Sequence, residues 1–341
     1  MNMLVTGGAG YIGSGLLIRL GEEFPDTTIT SLDNLERGDY RYIDYLKNDR
    51  RYRLLVGDIR KKSDVRKAVT RDTNTIMHLA AIPGIKPCRE QPKKAIETNI
   101  YGTHLLLEEA VKRNVKRFIS VSSAAVYGIP QQHPITEEHP LRPINLYGVT
   151  KLSTEKLVNA CHANNGLTTT ILRFSNVYGV GAYTWWKTVI PKFVWQATND
   201  QPLTIRADGK QQRNFVHLQD IIDAFIRCSK APKKAVTGET FNLGGEALSV
   251  NHIASIVIQE GQQKLGKKTS KVFLPLEPGE VYTSEFNYSS KRASQKIGYK
   301  REREVPQGIS ELFDYASKVK ATAGSKHLRR SPRSLGKNSS A

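Results

Sequence analysis

Cysteine is scarce in this chain. Its 341 residues contain three, Cys88, Cys161 and Cys228, too few and too scattered for a disulfide framework, so a reducing compartment, the cytoplasm, is expected. No apolar run is long enough to span a bilayer, and the first residues lack the charged, apolar and small-residue succession of a secretory signal. The eight histidines show no metal-ligand spacing, and Cys161 and His162 are neighbours on a helical pattern and cannot share a face, so no metal is expected. Acids are missing from the last 24 residues, where Lys318, Lys320, Lys326, Arg329, Arg330, Arg333 and Lys337 supply seven of the net +19 charges. That segment has Ser, Gly and Pro and no apolar periodicity, and residues 321–341 read as a basic disordered tail. The remaining positive charge is spread over the body. It attracts any anion, a sugar nucleotide or RNA alike, and identifies neither.

What the chain does have is a glycine cluster directly behind an apolar run, MNMLVTGGAGYIG. Gly7, Gly10 and Gly13 recur every third residue, and Gly8, Gly10 and Gly13 also spell G-x-G-x-x-G. A strand that turns there and restarts as a helix, with Ile12, Leu16, Leu17 and Leu20 apolar, points backbone N–H groups and a positive helix end at one spot. A pyrophosphate suits that spot, and glycine lets it approach closely. Asp33 follows twenty residues after Gly13, at the end of a second apolar run over 28–32. A carboxylate there accepts from adenosine ribose hydroxyls and repels a 2′-phosphate, which favours NAD over NADP. Arg37 nearby is the one residue that argues the other way.

Further strand-like runs at 53–56, 75–79, 117–121 and 169–172 alternate with helical patterns at 40–46, 63–69, 92–112 and 146–163. This rhythm predicts βαβ units and an α/β fold with a doubly wound parallel sheet, with the ligand at the carboxyl ends of the strands. From about Asn176 longer irregular stretches separate helical patterns near 185–197, 219–229, 250–259 and 307–318. The expected organisation is therefore a dinucleotide-binding Rossmann domain over 1–175 and a smaller mixed α/β lobe over 176–320, with some later elements rejoining the first.

Tyr147 and Lys151 are four apart on a predicted helix and project from one face. A phenol is a poor base near neutrality, and a neighbouring ammonium favours the phenolate. Ser123 lies just past the run ending at Val121, at the same carboxyl edge. Tyr183 and Lys187 repeat the spacing without a serine partner, so Ser123, Tyr147 and Lys151 are the candidate catalytic group and the second pair is expected on the surface or in the later lobe. Three other signals are set aside. Gly261 to Lys267 imitates a phosphate-binding loop but follows a predicted helix. His133 and His139 flank Glu137 and Glu138 in a loop expected to be solvated, and Trp185, Trp186 and Trp195 are expected in the core.

In order, the chain carries TGGAGYIG at 6–13, Asp33-Asn34, GDI at 57–59, HLAA at 78–81 and Asn99 in TNIYGT. SSAAVYG follows at 122–128, then YGVTK at 147–151, RFSNVYG at 173–179, VIPKF at 189–193 and RNFVHLQD at 213–220. This series resembles the extended short-chain dehydrogenase/reductases, specifically the NAD-dependent nucleotide-sugar epimerase/dehydratase family. The resemblance implies a bound NAD held by Gly7, Gly10, Tyr11, Ile12, Gly13, Asp33 and Asn34, with Asp58 and Ile59 at the adenine and Ala80 and Ala81 along the cleft. It implies that Asn99 orients its helix against the site and touches the cofactor, and that Lys151 also reaches the nicotinamide ribose. Asn176 and Arg213 are implied at a substrate diphosphate; an arginine suits bidentate phosphate recognition, although a structural salt bridge is the alternative for Arg213. A homodimer through the helices at 92–112 and 146–163 follows from the resemblance alone.

Within the family, dehydratases carry an Asp-Glu-like pair after the serine, decarboxylases keep the Glu, and 3,5-epimerases have a nearby Cys. Here the pair is Ala124-Ala125, which exchanges no protons. The expected reaction is epimerisation at C4 of a UDP-hexose or UDP-N-acetylhexosamine, with a 4-keto-sugar reductase as the alternative and a non-catalytic RNA-binding protein as the rival from another class. Glu277 stands where relatives often have a diphosphate-gripping Arg; it would repel a phosphate, so another cation, Lys192, is expected to serve. Ser284 aligns with a position where a large Tyr restricts some relatives to unmodified hexoses, and a small residue there would admit an N-acetyl group.

Overall fold

A computed structural model of the chain describes residues 2–278, 280 and 282–323. Six parallel strands begin the sequence: β1 (Asn2–Thr6), β2 (Thr28–Asp33), β3 (Tyr52–Val56), β4 (Thr73–His78), β5 (Arg117–Ser123) and β6 (Thr168–Phe174). The short strands β7 (Asn176–Tyr178), β8 (Leu203–Arg206), β9 (Gln212–His217), β10 (Glu239–Leu243), β11 (Glu246–Ser249) and β12 (Lys271–Leu274) follow. The main sheet runs in the order β10-β6-β5-β4-β1-β2-β3, every neighbour parallel. Strand order reverses between β1 and β4, and the crevice beyond their carboxyl ends is where such a sheet binds its ligand. The central strands are apolar on both sides because helices cover both faces: Met3 and Val5 face one core, Leu4 the other.

The helices are α1 (Tyr11–Glu23), α2 (Lys62–Ala68), α3 (Ile85–Glu90), α4 (Pro92–Ile96), α5 (Gly102–Lys112) and α6 (Leu146–Asn165). Later in the chain come α7 (Val189–Thr198), α8 (Leu218–Lys230), α9 (Lys233–Val236), α10 (Val250–Leu265), α11 (Lys291–Ile297) and α12 (Val305–Ala323). Leu16, Leu17 and Leu20 of α1 pack with Ile221 and Phe225 of α8 on one face of the sheet. Val65 of α2, Leu105 and Leu106 of α5 and Val158 of α6 cover the other. Local chemistry sets the ends of α6: the Asn145 side chain accepts from Gly148 N at 3.0 Å, and Gly166 closes the helix with a left-handed φ of 67°. A separate core under the later lobe gathers Ile190 and Phe193 of α7, Ile253 and Val257 of α10, and Ile309 and Phe313 of α12.

The expected alternation is observed with local differences. The predicted helix at 40–46 is a 3₁₀ segment, Tyr40–Asn48, kinked at Ile43. The predicted helix at 92–112 is α4 and α5 joined by a π-helical turn, Glu97–Tyr101, that carries Asn99. Helix α7 starts only at Val189, leaving 185–188 irregular. Two late elements return to the first unit, β10 to the edge of the main sheet and α8 to the side of α1. The phosphate-loop imitation at 261–267 is the last turn of α10 and its cap, Gly266. Helix α12 extends to Ala323, so the first residues assigned to the basic tail are helical, and 324–341 lie outside the described residues. His139 is buried rather than solvated: its Nε2 accepts from Gln131 N at 3.0 Å, while the buried Glu137 carboxylate accepts from Asn242 N at 2.8 Å.

Candidate active site

A cleft of about 400 Å³ opens at the carboxyl ends of β1, β2, β4, β5 and β6. Its floor is the glycine turn. Gly7 has a φ of 76°, and a Cβ there would sit 2.7 Å from Ala80 N; a Cβ on Gly13 would sit 2.1 Å from Gly7 O. Gly7, Gly10 and Gly13 line the cleft together with Tyr11 and Ile12, whereas Gly8 faces the Ser31 side chain behind it. Of the two glycine readings, the one spaced every third residue therefore describes the ligand-facing wall.

Asp33 ends β2 at the cleft with Asn34 beside it. Its carboxylate accepts from Leu35 N at 2.8 Å and Ala9 N at 3.1 Å, binding the acidic residue to the glycine turn. Burial pushes the Asp33 pKa up, against the opposing pull of those two amides. Asp58 and Ile59 line the same end of the cleft, with Asp58 chelated by Arg60 through contacts of 2.5 to 3.0 Å. Ala80 and Ala81 line the cleft beside Gly7. Small residues, a carboxylate at the strand end and the amino end of α1 fit a dinucleotide, whose phosphates need the close backbone approach that the glycines leave open.

Deeper in the cleft lie Ser123, Tyr147 and Lys151. Ser123 Oγ accepts from Ala125 N at 3.2 Å, and its hydroxyl lies near enough to the Tyr147 phenol to pull that group's pKa down. Lys151 is buried, and its Nζ donates to Val121 O at 2.9 Å. The electrostatics differ from the expectation that Lys151 ionises the phenol. Burial pushes Tyr147 up to about 12, with only the Ser123 hydrogen bond pulling it down. Burial also brings Lys151 down to about 8, with Cys88 and Glu155 opposing. Desolvation exceeds attraction here because both groups are poorly hydrated and the ammonium is engaged by a main-chain carbonyl.

Asn99 does not line the cleft. It is buried behind the wall, where its Oδ1 accepts from Ile82 N at 2.7 Å and its Nδ2 donates to Ile82 O at 3.1 Å and Thr150 Oγ1 at 3.0 Å. Asn99 thus clamps the loop after β4 to the helix that carries Tyr147. Asn176 does line the cleft, and its Nδ2 donates to Asn214 O at 3.0 Å.

Lys192, Arg213 and Ser284 lie outside the cleft lining. Arg213 donates to Gln212 O at 2.7 Å and Thr283 Oγ1 at 2.8 Å. Burial lowers its pKa, with Glu280 opposing. Lys192 is half-buried beside Arg206, Glu277 and Glu280, and burial and the Arg206 charge lower its pKa. Glu277 is neutralised there by Arg206 and by Arg89 at 3.3 Å, so it does not stand as a bare repulsive charge. Ser284 is exposed, and the structure does not bring it to the cleft.

Sequence reasoning missed Tyr183 and Trp185, which line the cleft from the irregular stretch before α7. Tyr183 packs on Tyr42 with ring centroids 5.4 Å apart. No periodicity marks such residues. Trp186 and Trp195 do pack together in the later lobe, their centroids 5.0 Å apart. Among the described residues no group of His, Cys, Asp and Glu could hold a metal ion, and no helix is long and apolar enough to cross a membrane.

Comparison with known proteins places this geometry. Residues 3–244 match the model of the NAD dependent epimerase/dehydratase family. The chain is 30% identical over 316 residues to a putative UDP-glucose 4-epimerase of Methanocaldococcus jannaschii, covering 92% of this chain and 97% of that protein. It is 32% identical over 260 residues to human dTDP-D-glucose 4,6-dehydratase, covering 75% and 73%. The fold superposes on UDP-glucuronic acid 4-epimerase from Bacillus cereus, a crystal structure with UDP-glucuronic acid and NAD, at a TM-score of 0.85 and 30% identity, covering 94% and 100%.

Proposed function

The chain belongs to the NAD-dependent epimerase/dehydratase family, and from that premise we propose that it inverts C4 of a UDP-hexose or UDP-N-acetylhexosamine through a transient 4-keto sugar. The cofactor is NAD, in keeping with the family and with neighbours crystallised with it. One observation carries the choice of epimerisation: Ser123 and Tyr147 meet in the cleft, while the next two side chains are the methyl groups of Ala124 and Ala125. Eliminating water from the sugar would need an acid and a base there, and neither residue supplies one.

When bound, NAD supplies a hydride acceptor and, oxidised, a positive charge that favours the phenolate. Tyr147 withdraws the proton of the sugar 4-hydroxyl and later returns it. Ser123, held by Ala125 N, hydrogen-bonds the same oxygen as it becomes a carbonyl. Lys151, anchored on Val121 O, stays one helical turn below and fixes where the ribose side of the cofactor is received. The sugar turns within the cleft between the two proton transfers, so the configuration inverts. Asn176 and the cations Lys192 and Arg213 are assigned to the nucleotide diphosphate. We also assign a homodimer to the surface formed by α4, the π turn, α5 and α6, because Ile96, Tyr101 and Val149 are 46%, 51% and 43% exposed there.

The reading is tested by incubating the purified protein with UDP-glucose, UDP-N-acetylglucosamine and UDP-glucuronic acid and separating the stereoisomers by chromatography. A C4 epimer formed without added cofactor is the expected outcome. A 4-keto-6-deoxy product would replace epimerisation with dehydration, and a requirement for stoichiometric reduced cofactor would replace it with reduction.

A further inference from the structure

We propose that Glu277 is a built-in counter-ion: its carboxylate occupies Arg206, beside the Lys192 assigned above to the diphosphate, until a nucleotide sugar displaces it. The inference rests on the nucleotide-sugar reading above and concerns how that ligand enters and leaves.

Two walls of the cleft lead to this carboxylate. Helix α7 follows Thr188 of the cleft lining and carries Lys192 one turn on, where Lys192 N donates to Thr188 O at 2.8 Å. Helix α3 follows Gly84 of the lining and carries Arg89. Glu277, in the segment after β12, joins the two sides. One of its oxygens accepts from Arg206 at the end of β8, and the other accepts from Arg89 at 3.3 Å. The same two guanidiniums bind the neighbouring backbone, Arg206 at Pro275 O (3.2 Å) and Arg89 at Pro278 O. Glu277 N in turn donates to Glu280 Oε2 at 2.9 Å. Lys192 stands next to this network with no carboxylate in ion-pair range among the described residues, and Arg206 acts on it as a like charge. The group thus contains more positive than negative charge, and its one directly paired anion belongs to the chain itself.

Carboxylate and phosphate oxygens use the same guanidinium donors, so the two anions compete for Arg206. While the site awaits its ligand, Glu277 keeps the cations assembled and limits their mutual repulsion. A diphosphate brings more charge and takes Arg206 and Lys192. Glu277 then faces a phosphate, and that repulsion weakens nucleotide binding and hastens product departure.

Calorimetric titration of the full chain with UDP and with uridine tests this on wild type, Glu277→Gln and Glu277→Lys. We expect the UDP dissociation constant to fall about three- to tenfold in Glu277→Gln, the scale of one nearby charge removed, and further in Glu277→Lys. Uridine affinity stays unchanged, and the gain shrinks as salt is raised. Thermal unfolding shows that each variant is folded. A folded Glu277→Gln whose UDP affinity is unchanged or weaker overturns the counter-ion role while leaving the nucleotide-sugar reading intact. A wild-type chain that binds no UDP overturns both.

Discussion

At Tyr147 the electrostatic difficulty is to set a phenol in a poorly hydrated cleft wall and still let it lose its proton. Desolvation pushes the group up to about 12, and each unit represents about 1.4 kcal/mol against the phenolate. Ser123 is the one side chain that pulls the other way, through a hydrogen bond that strengthens as the oxygen becomes anionic. Ser123→Ala therefore raises the Tyr147 pKa further. Since the base must be deprotonated to act, the rising limb of kcat/KM moves to higher pH. Activity at pH 7 falls about 10- to 100-fold and is partly recovered in alkaline buffer. A pH profile lowered uniformly, with its limb unmoved, would contradict this role for Ser123. The residues themselves are legible in the sequence because an i, i+4 pair on a helix shares a face whatever surrounds it. The sign of the pKa shift is not legible, because it depends on how tightly β4, β5 and α6 close around the pair.

Among elements, the π-helical turn Glu97–Tyr101 does the work of alignment. The widened turn lets Asn99 satisfy both main-chain groups of Ile82 and reach Thr150, so the loop that walls the cleft and the helix carrying Tyr147 and Lys151 move as one piece. Asn99→Ala leaves the buried Ile82 N–H unpaired and its C=O to the weak Cys88 thiol donor, and destabilises by about 1–3 kcal/mol. The expected signs are a lower thermal midpoint and a kcat that falls more than KM rises; an unchanged midpoint would show that water or backbone adjustment replaces the amide. A straight helix over 92–112 is what the apolar spacing predicts, and nothing in that spacing announces the inserted residue of a π turn. The inner strands β1, β4, β5 and β6 are readable because they are buried on both faces, whereas the edge strand β3 has no buried residue and is readable from its short apolar run alone. Strands β7 to β12 are three to six residues long and many of their positions are half-exposed, every one in β11, so their pattern does not rise above that of a loop. Tyr183 is hidden for the same reason: it reaches the cleft from the irregular stretch before α7.

For the whole molecule, the division near residue 175 is crossed repeatedly. Strand β10 extends the main sheet, α8 covers it, and the buried Arg173–Glu155 pair, 2.7 Å apart, bonds Tyr127, which in turn bonds Asn242 of β10. The substrate-side loops are thereby fixed to the cofactor-binding sheet, which sequence rhythm alone indicates only as a soft boundary. The net charge of +19 finds a local use in the cations around Glu277, although composition cannot assign it. The proposed dimer leads to a further expectation: Tyr101→Glu, at an exposed aromatic of the π turn, shifts the chain from dimer to monomer in light scattering, and a wild type that is already monomeric would contradict the assignment. The central claim is that hydrogen leaves C4 and returns to C4. Its most direct test is incubation of UDP-glucose deuterated at C4, followed by NMR of the product. The account predicts UDP-galactose with deuterium retained at C4 and no solvent hydrogen incorporated into the ring; deuterium found away from C4, or replaced by solvent hydrogen, would contradict it.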